Sequence, residues 1–119
     1  MARNAPSVDA YGGGGFRLSG DWHEGSVLIL DDVAQAWPAK AAKDLTPADF
    51  EAIISAGSLV VEFVLLGVGP TNALPPKPVR EALASAGIGL EFMDTPTAAR
   101  TYNLLTAEGR RLAAALIAI

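Results

Sequence analysis

The stretch GIGLEFMDTPTAARTYN, residues 87–103, decides how the second half of the chain folds. A short apolar run ends at Met93 and is followed directly by Asp94, Thr95 and Pro96, which indicates a strand that leads into a helix. Thr95 can cap that helix through its hydroxyl, and Pro96 suits the first helical position because no N–H is needed there. Further polar side chains follow in the first helical turns, so we look for a functional site here first.

The residues on either side of this stretch continue the alternation of strands and helices. Apolar runs bounded by glycine and proline predict three strands separated by two helices. The predicted elements are a strand over 59–66, a short helix ending at Ala86, a strand over Gly89–Met93, a helix over 96–107 and a strand over 112–119. Because crossovers between neighbouring parallel strands are right-handed, this order predicts a βαβαβ unit with three parallel strands.

The first half of the chain predicts a β-meander that lies against or beside that unit. Four consecutive glycines, residues 12–15, indicate a strand that bends or bulges; we prefer this to a phosphate-binding loop because no P-loop Lys and Ser/Thr follow them. The meander is expected to contain a strand at 16–19, a turn-rich segment at 20–25, a strand at 26–30 and a third strand over Val33–Trp37.

A helix connects the two halves. Thr46, Pro47 and Asp49 form the pattern of a capping box, with Asp49 in place of the usual glutamate. Neither a repeat nor a linker divides the sequence. We therefore predict a single α/β domain over residues 9–119, with a mixed central sheet and helices on the sheet faces, preceded by a flexible N-terminus over residues 1–8.

Composition and charge exclude several classes of protein. The 119 residues are half hydrophobic, with a net charge of −4 and no cysteine. An acidic chain argues against nucleic acid as a partner, and the lack of cysteine excludes disulfides, Cys-ligated zinc and thiol catalysis. The longest apolar run, residues 59–69, contains Glu62 and is about half as long as a membrane span. Because the N-terminus also lacks the apolar region of a secretory signal, we expect a soluble, cytoplasmic protein without a membrane span.

Two glycines, Gly67 and Gly69, follow the first predicted parallel strand, and open α/β sheets bind ligands at that end of a strand. The dinucleotide-binding fingerprint is incomplete, because Asn72 stands where its third glycine belongs and prolines replace the immediate helix start. We therefore expect no bound cofactor. We also expect no metal site, because the sequence has a single histidine and no cysteine.

Charged side chains near the same predicted sheet edge have two interpretations each. Asp94 can accept N–H groups at the start of the following helix, or it can act as a carboxylate in a crevice beside the glycine turn. Arg80 and Arg100 lie in early helical turns, where a cation is mildly disfavoured. We expect them to pair with protein carboxylates such as Asp94 or Glu91, and a bound anion is the alternative.

The sequence contains no complete catalytic constellation. Glu62 and Glu91 interrupt apolar strands and could do acid–base work if they met, but their register is open. His23 is the only histidine, and its segment DWHEG is typical of a surface turn. No serine lies in a GxSxG elbow. These observations favour a protein that is not an enzyme.

Short segments distributed along the chain match a known pattern: residues 12–16, 23–26, 66–69, 87–95, 100–103, 108–111 and 113–117. Together they resemble a family of small uncharacterised α/β domains that includes the mitochondrial complex I assembly factor 3 and many bacterial and archaeal proteins. The resemblance covers residues 9–119 and implies a three-layer domain with a mixed central sheet. Because no mitochondrial transit segment precedes the domain, we expect a bacterial member. Val68 departs from the family pattern, since a hydroxyl often found in the glycine turn is missing.

The leading hypothesis is a non-catalytic protein-interaction or assembly factor with protein partners, because the resemblance implies the non-enzymatic role of the mitochondrial member. The alternative is a small-molecule or anion-binding domain, possibly an enzyme, with a crevice between the loops 67–70 and 94–103. The residues assigned to this crevice are Gly67, Gly69, Arg80, Asp94, Thr95, Arg100, Thr101 and Asn103. The apolar composition also favours a homodimer, formed through an edge strand or an exposed helix face.

Overall fold

The computed structural model describes residues 5–119. The strands are β1 (Val8–Gly12), β2 (Gly15–Leu18), β3 (Asp21–Glu24), β4 (Ser26–Leu30), β5 (Val33–Trp37), β6 (Phe63–Gly67), β7 (Gly89–Met93) and β8 (Leu112–Leu116). The α-helices are α1 (Glu51–Ala56), α2 (Lys77–Ser85) and α3 (Thr95–Ala107). Two short 3-10 turns, Ala42–Asp44 and Pro47–Phe50, precede α1.

The larger sheet has five strands in the order β5-β4-β8-β6-β7. β6 lies between β8 and β7 and pairs with both in parallel, with Leu65 opposite Ala114 on one side and Glu91 on the other. The predicted βαβαβ unit is therefore confirmed. β4 pairs antiparallel with β8 and with β5, which makes the sheet mixed. A second sheet, in the order β1-β2-β3, is antiparallel throughout.

The meander differs in detail from the prediction. The segment expected to be a turn contains β3, which pairs with β2, while β4 belongs to the larger sheet. Most of β3 is exposed, so the sequence shows no alternation there that would predict a strand, and His23 lies within it rather than in a turn. The expected bulge at the glycines is also wrong. Gly12 pairs with Gly15, and Gly13 and Gly14, with φ of +63° and +85°, form a two-residue hairpin turn.

Three element boundaries differ from the predicted ones. The predicted capping box is confirmed. β6 begins at Phe63 rather than at residue 59, and Leu59 is 87% exposed. β8 ends at Leu116, short of the predicted residue 119. Val8, expected in the flexible N-terminus, is buried and begins β1; residues 1–4 of that segment lie outside the described residues. The Thr46 N–H donates to the Asp49 carboxylate over 2.8 Å, although this helix opens with a 3-10 turn.

Side chains alternate along β6 and so build a core on each face of the larger sheet. Val64 and Leu66 pack with side chains of α1 and α2, whereas Phe63 and Leu65 pack with side chains of α3 and of the small sheet. The molecule therefore has three layers, as the resemblance implied. Because both faces of the central strands are covered, β6 and β8 are apolar at every position.

Candidate functional site

The junction between β7 and α3 is organised around Asp94. Asp94 is the N-cap of α3, and its carboxylate Oδ1 accepts a hydrogen bond from the Thr97 N–H over 2.8 Å. Hydrogen bonds from the backbone and side chain of Thr97 lower the pKa of Asp94 below its usual 3.8. The first of the two interpretations of Asp94 is therefore confirmed, and Thr95 is not the capping residue.

Thr95 is instead buried and forms hydrogen bonds that connect the segments after β6, β7 and β8. It is fully buried, its hydroxyl accepts from the Gly69 N–H over 3.0 Å, and it donates to the Ile117 carbonyl over 2.8 Å. The Thr95 N–H also donates to the Gly69 carbonyl over 2.8 Å. A Cβ at Gly67 would lie 2.9 Å from Thr95 Oγ1, so glycine is required there by close approach. The loops after β6 and β7 thus bind each other directly.

Two further side chains of the segment fasten α3 to the N-terminal strand. Asn103 accepts from the Val8 N–H over 2.8 Å and donates to the Val8 carbonyl over 2.9 Å, so it mimics a neighbouring strand. The buried Tyr102 donates its hydroxyl to the Pro6 carbonyl over 2.8 Å. These contacts position β1 against α3.

Within residues 5–119, neither arginine forms a close ion pair with Asp94 or Glu91, although the positive charge of Arg100 makes a small contribution to the lowered pKa of Asp94. Arg80 lies in α2, on the sheet face opposite α3, and its Nε donates to the Pro75 carbonyl over 3.0 Å. Arg100 is exposed, and within residues 5–119 it contacts the Tyr11 hydroxyl at 3.3 Å and the Thr97 hydroxyl at 3.5 Å. Of the residues assigned to one crevice, Arg80 therefore lies on the opposite face of the sheet from those in α3.

A groove opens along β7 on the side that faces α3; we call it the β7 groove. Its volume is about 490 Å³. Its lining residues are Glu62, Phe63, Leu65, Gly89, Glu91, Met93, Thr101, Leu105 and Arg110. Thr101 is the only residue of the predicted crevice among them, and sequence reasoning had not located this groove.

Charge in the β7 groove is concentrated on three side chains. Arg110 lies 3.5 Å from Glu62 and 5.2 Å from the centroid of the Phe63 ring, an ion pair and a cation–π contact. Glu91 also faces the groove, so Glu62 and Glu91 share one site. The signal was present in the sequence as two carboxylates that interrupt apolar strands, but their proximity depends on the pairing of β6 with β7.

Together, the layers and the groove define a small three-layer α/β domain in which a mixed sheet carries an open, partly charged groove at one edge. The chain belongs to the family of proteins of unknown function DUF498/DUF598, whose family model matches residues 8–117. The resemblance inferred from the sequence is thereby confirmed.

Relatives in this family carry different names. An uncharacterised protein of Rhodobacter capsulatus is 38% identical over 110 residues, which are 92% of this chain and 82% of that protein. The NADH dehydrogenase [ubiquinone] 1 alpha subcomplex assembly factor 3 of Homo sapiens is 31% identical over 116 residues, which are 98% of this chain. The match spans only 62% of the length of that human relative, about three fifths.

A solved structure shares the whole fold. The crystal structure of an outer membrane protein from Bartonella henselae superposes with a TM-score of 0.88 at 32% identity, covering 99% of this chain and 98% of that one. In the part of the present chain that the structure describes, no helix is long and apolar enough to cross a bilayer.

Proposed function

We propose that this protein is a non-catalytic protein-interaction factor of the assembly type, acting in the cytoplasm of a bacterium. The observation that carries the proposal is the β7 groove, an open surface with an apolar floor, next to a strand at the edge of the sheet. Exposed sheet edges offer backbone groups for pairing with another chain. The name of the human relative, an assembly factor, supports the same class of function.

The internal bonding of residues 94–103 also supports this proposal. The Thr95 hydroxyl and the Asn103 amide are both used within the domain, and Asp94 caps α3. These polar groups have structural roles that account for their positions. The β7 groove is then the surface at which we expect a partner.

Affinity capture from native bacterial cells tests the proposal. We expect the tagged protein, after mild lysis and chemical crosslinking, to retain a defined protein partner in stoichiometric amounts. The matched control is Glu81→Lys, an exposed position on α2 outside the β7 groove, which should retain the same partner. Recovery of no specific protein by the wild-type chain would contradict the proposed function.

A small-molecule site in the β7 groove is the second candidate. Ligand pockets have volumes of about 300–1,000 Å³, and the volume of this groove, about 490 Å³, lies in that range. Thr101 belongs both to the crevice predicted from the sequence and to the lining of the β7 groove. A metabolite at a hundred times its dissociation constant would add about 2.7 kcal/mol to the free energy of unfolding. We expect Thr101→Val to reduce the resulting thermal shift and Thr106→Val, outside the groove, to leave it unchanged. No shift across a broad metabolite library would exclude this candidate.

A further inference from the structure

We propose that the free edge of β7 binds an extended segment of a partner protein, which adds to the sheet as a sixth strand and places a lysine or arginine against Glu91. This inference rests on the proposed protein-interaction function and names the chemistry of the partner.

Two residues of β7 direct their backbone N–H and C=O groups away from β6, toward the open edge of the sheet. The Gly89 N–H donates to the Glu62 carbonyl, and the Met93 carbonyl accepts from the Val68 N–H, so these residues face β6. In a parallel pair, alternate residues direct both backbone groups to the same neighbour, so those of Leu90 and Phe92 point away from β6. Within residues 5–119, no other element bonds to these outward groups. They form a ready template for an added strand.

The side-chain surface beside that edge is apolar with one unmatched negative charge. Phe63, Leu65, Met93 and Leu105 line the groove, and Glu62 is paired with Arg110. Within the described chain, Glu91 takes part in no hydrogen bond or ion pair, and it is exposed. The groove therefore carries a net charge of −1 from Glu62, Glu91 and Arg110, and its electrostatic complement is a basic side chain.

A second copy of the chain is a poor occupant for this edge. Two copies that pair through β7 would do so antiparallel about a two-fold axis, since such an interface is self-complementary. β7 has five residues and Glu91 is its central residue, so any extensive pairing brings the two Glu91 side chains close together. Like charges at opposite positions destabilise a strand pair. A partner segment that carries a positive charge is favoured instead.

The register of the sheet predicts the pattern of this segment. Glu91 and Met93 lie on the α3 side of β7, and side chains of an added strand also alternate between the two faces. A basic residue that meets Glu91 is then followed or preceded, two positions away, by an apolar residue over Met93. The partner segment should read as basic–x–apolar or the reverse, without proline at the pairing positions.

A peptide library displayed on phage tests this proposal with the full chain as target. We expect selected peptides to have Lys or Arg and apolar residues at alternate positions. Representative synthetic peptides should bind Glu91→Lys about tenfold more weakly than wild type, whereas the same peptides with Glu in place of Lys should regain affinity for that variant. Glu81→Lys is the matched charge reversal outside the groove and should bind like wild type. On peptide binding, the Leu90 and Phe92 amides should become protected from hydrogen exchange.

Three outcomes would overturn the inference. The library could yield no binder, the selected peptides could bind Glu91→Lys as well as wild type, or Leu90 and Phe92 could stay unprotected in the complex. Affinity capture separates these failures from failure of the proposed function. A cellular partner that is retained equally by wild type and Glu91→Lys would leave the interaction function in place and exclude β7 as the docking edge.

Discussion

Thr95 shows how a single buried hydroxyl can hold the three-layer arrangement together. Its hydroxyl accepts from the Gly69 N–H and donates to the Ile117 carbonyl at the same time, and neither group belongs to a neighbouring residue in the sequence. We expect Thr95→Val, which keeps the shape and removes both hydrogen bonds, to lower the free energy of unfolding by about 2–4 kcal/mol, because two buried polar groups lose their partner. Urea denaturation measures this difference.

Thr95→Ser is the matched control for that substitution. It keeps the hydroxyl and loses only a methyl group, so we expect its loss of stability to be clearly smaller than that of Thr95→Val. An unchanged free energy of unfolding in Thr95→Val, which keeps the methyl group, together with a loss in Thr95→Ser would show that packing of the methyl group, rather than the hydrogen bonds, is what Thr95 contributes.

The Asp94 carboxylate makes part of the stability depend on pH. Its pKa in the folded state lies below the usual 3.8, chiefly because the Thr97 N–H bonds the charged form. The stabilisation is therefore fully present above the unfolded pKa and is lost as the pH falls through the folded pKa. Asp94→Asn does not titrate, so the difference in unfolding free energy between wild type and variant should shrink below about pH 4. Urea denaturation over a pH series checks this, and a constant difference would contradict it.

At the scale of elements, α3 organises the N-terminal strand as well as the sheet. Asn103 bonds both backbone groups of Val8 and thereby takes the place of a strand partner for β1. We expect Asn103→Ala to remove about 1–2 kcal/mol of local stability, and to accelerate hydrogen exchange of β1 amides by roughly tenfold or more. The amides of β6 and β8 should keep their protection.

Leu104→Ala is the control for Asn103→Ala, since Leu104 is on the same helix and 62% exposed. It should leave exchange in β1 unchanged. If β1 is equally protected in wild type and Asn103→Ala, then α3 does not hold this strand through Asn103.

The elements that sequence reasoning predicted well are those with two covered faces or strong end signals. β6 and β8 are continuous apolar runs, and the helix before β6 begins at a capping box. Each of these elements can therefore be recognised from a short stretch of adjacent residues. β3 was missed because it is largely exposed, and exposure removes the alternation on which such predictions depend.

The candidate site was harder to predict because its residues meet through tertiary pairing. A threonine before a proline has the same local pattern whether it caps a helix or bonds Ile117, which lies 22 positions away. Glu62 and Glu91 were recognised as unusual in apolar strands, but the groove that they share exists only once β6 and β7 are in register. The separation of Arg80 from Arg100 likewise follows from which face of the sheet each helix covers.

For the whole molecule, the two edges of the larger sheet have opposite character. β7 has Glu91 at its centre, whereas β5, VAQAW, has no charged side chain and leaves Val33 63% exposed. Native proteins protect edge strands from self-association with charges, proline or bulges. β5 has none of these within its five residues. Antiparallel pairing of β5 with β5 of a second copy, about a two-fold axis, therefore brings no like charges together.

We therefore predict that the protein forms a homodimer through β5, which leaves β7 open for a different partner. Light scattering at high protein concentration should give twice the monomer mass of 12.3 kDa. Gln35→Lys places two positive charges near the symmetry axis and should return the mass to that of the monomer, whereas Ser55→Lys, at an exposed position of α1, should not. A wild-type mass of 12.3 kDa would exclude the dimer. A Gln35→Lys variant that dimerises as strongly as wild type would argue against β5 as the interface, because like charges at opposite positions destabilise a strand pair.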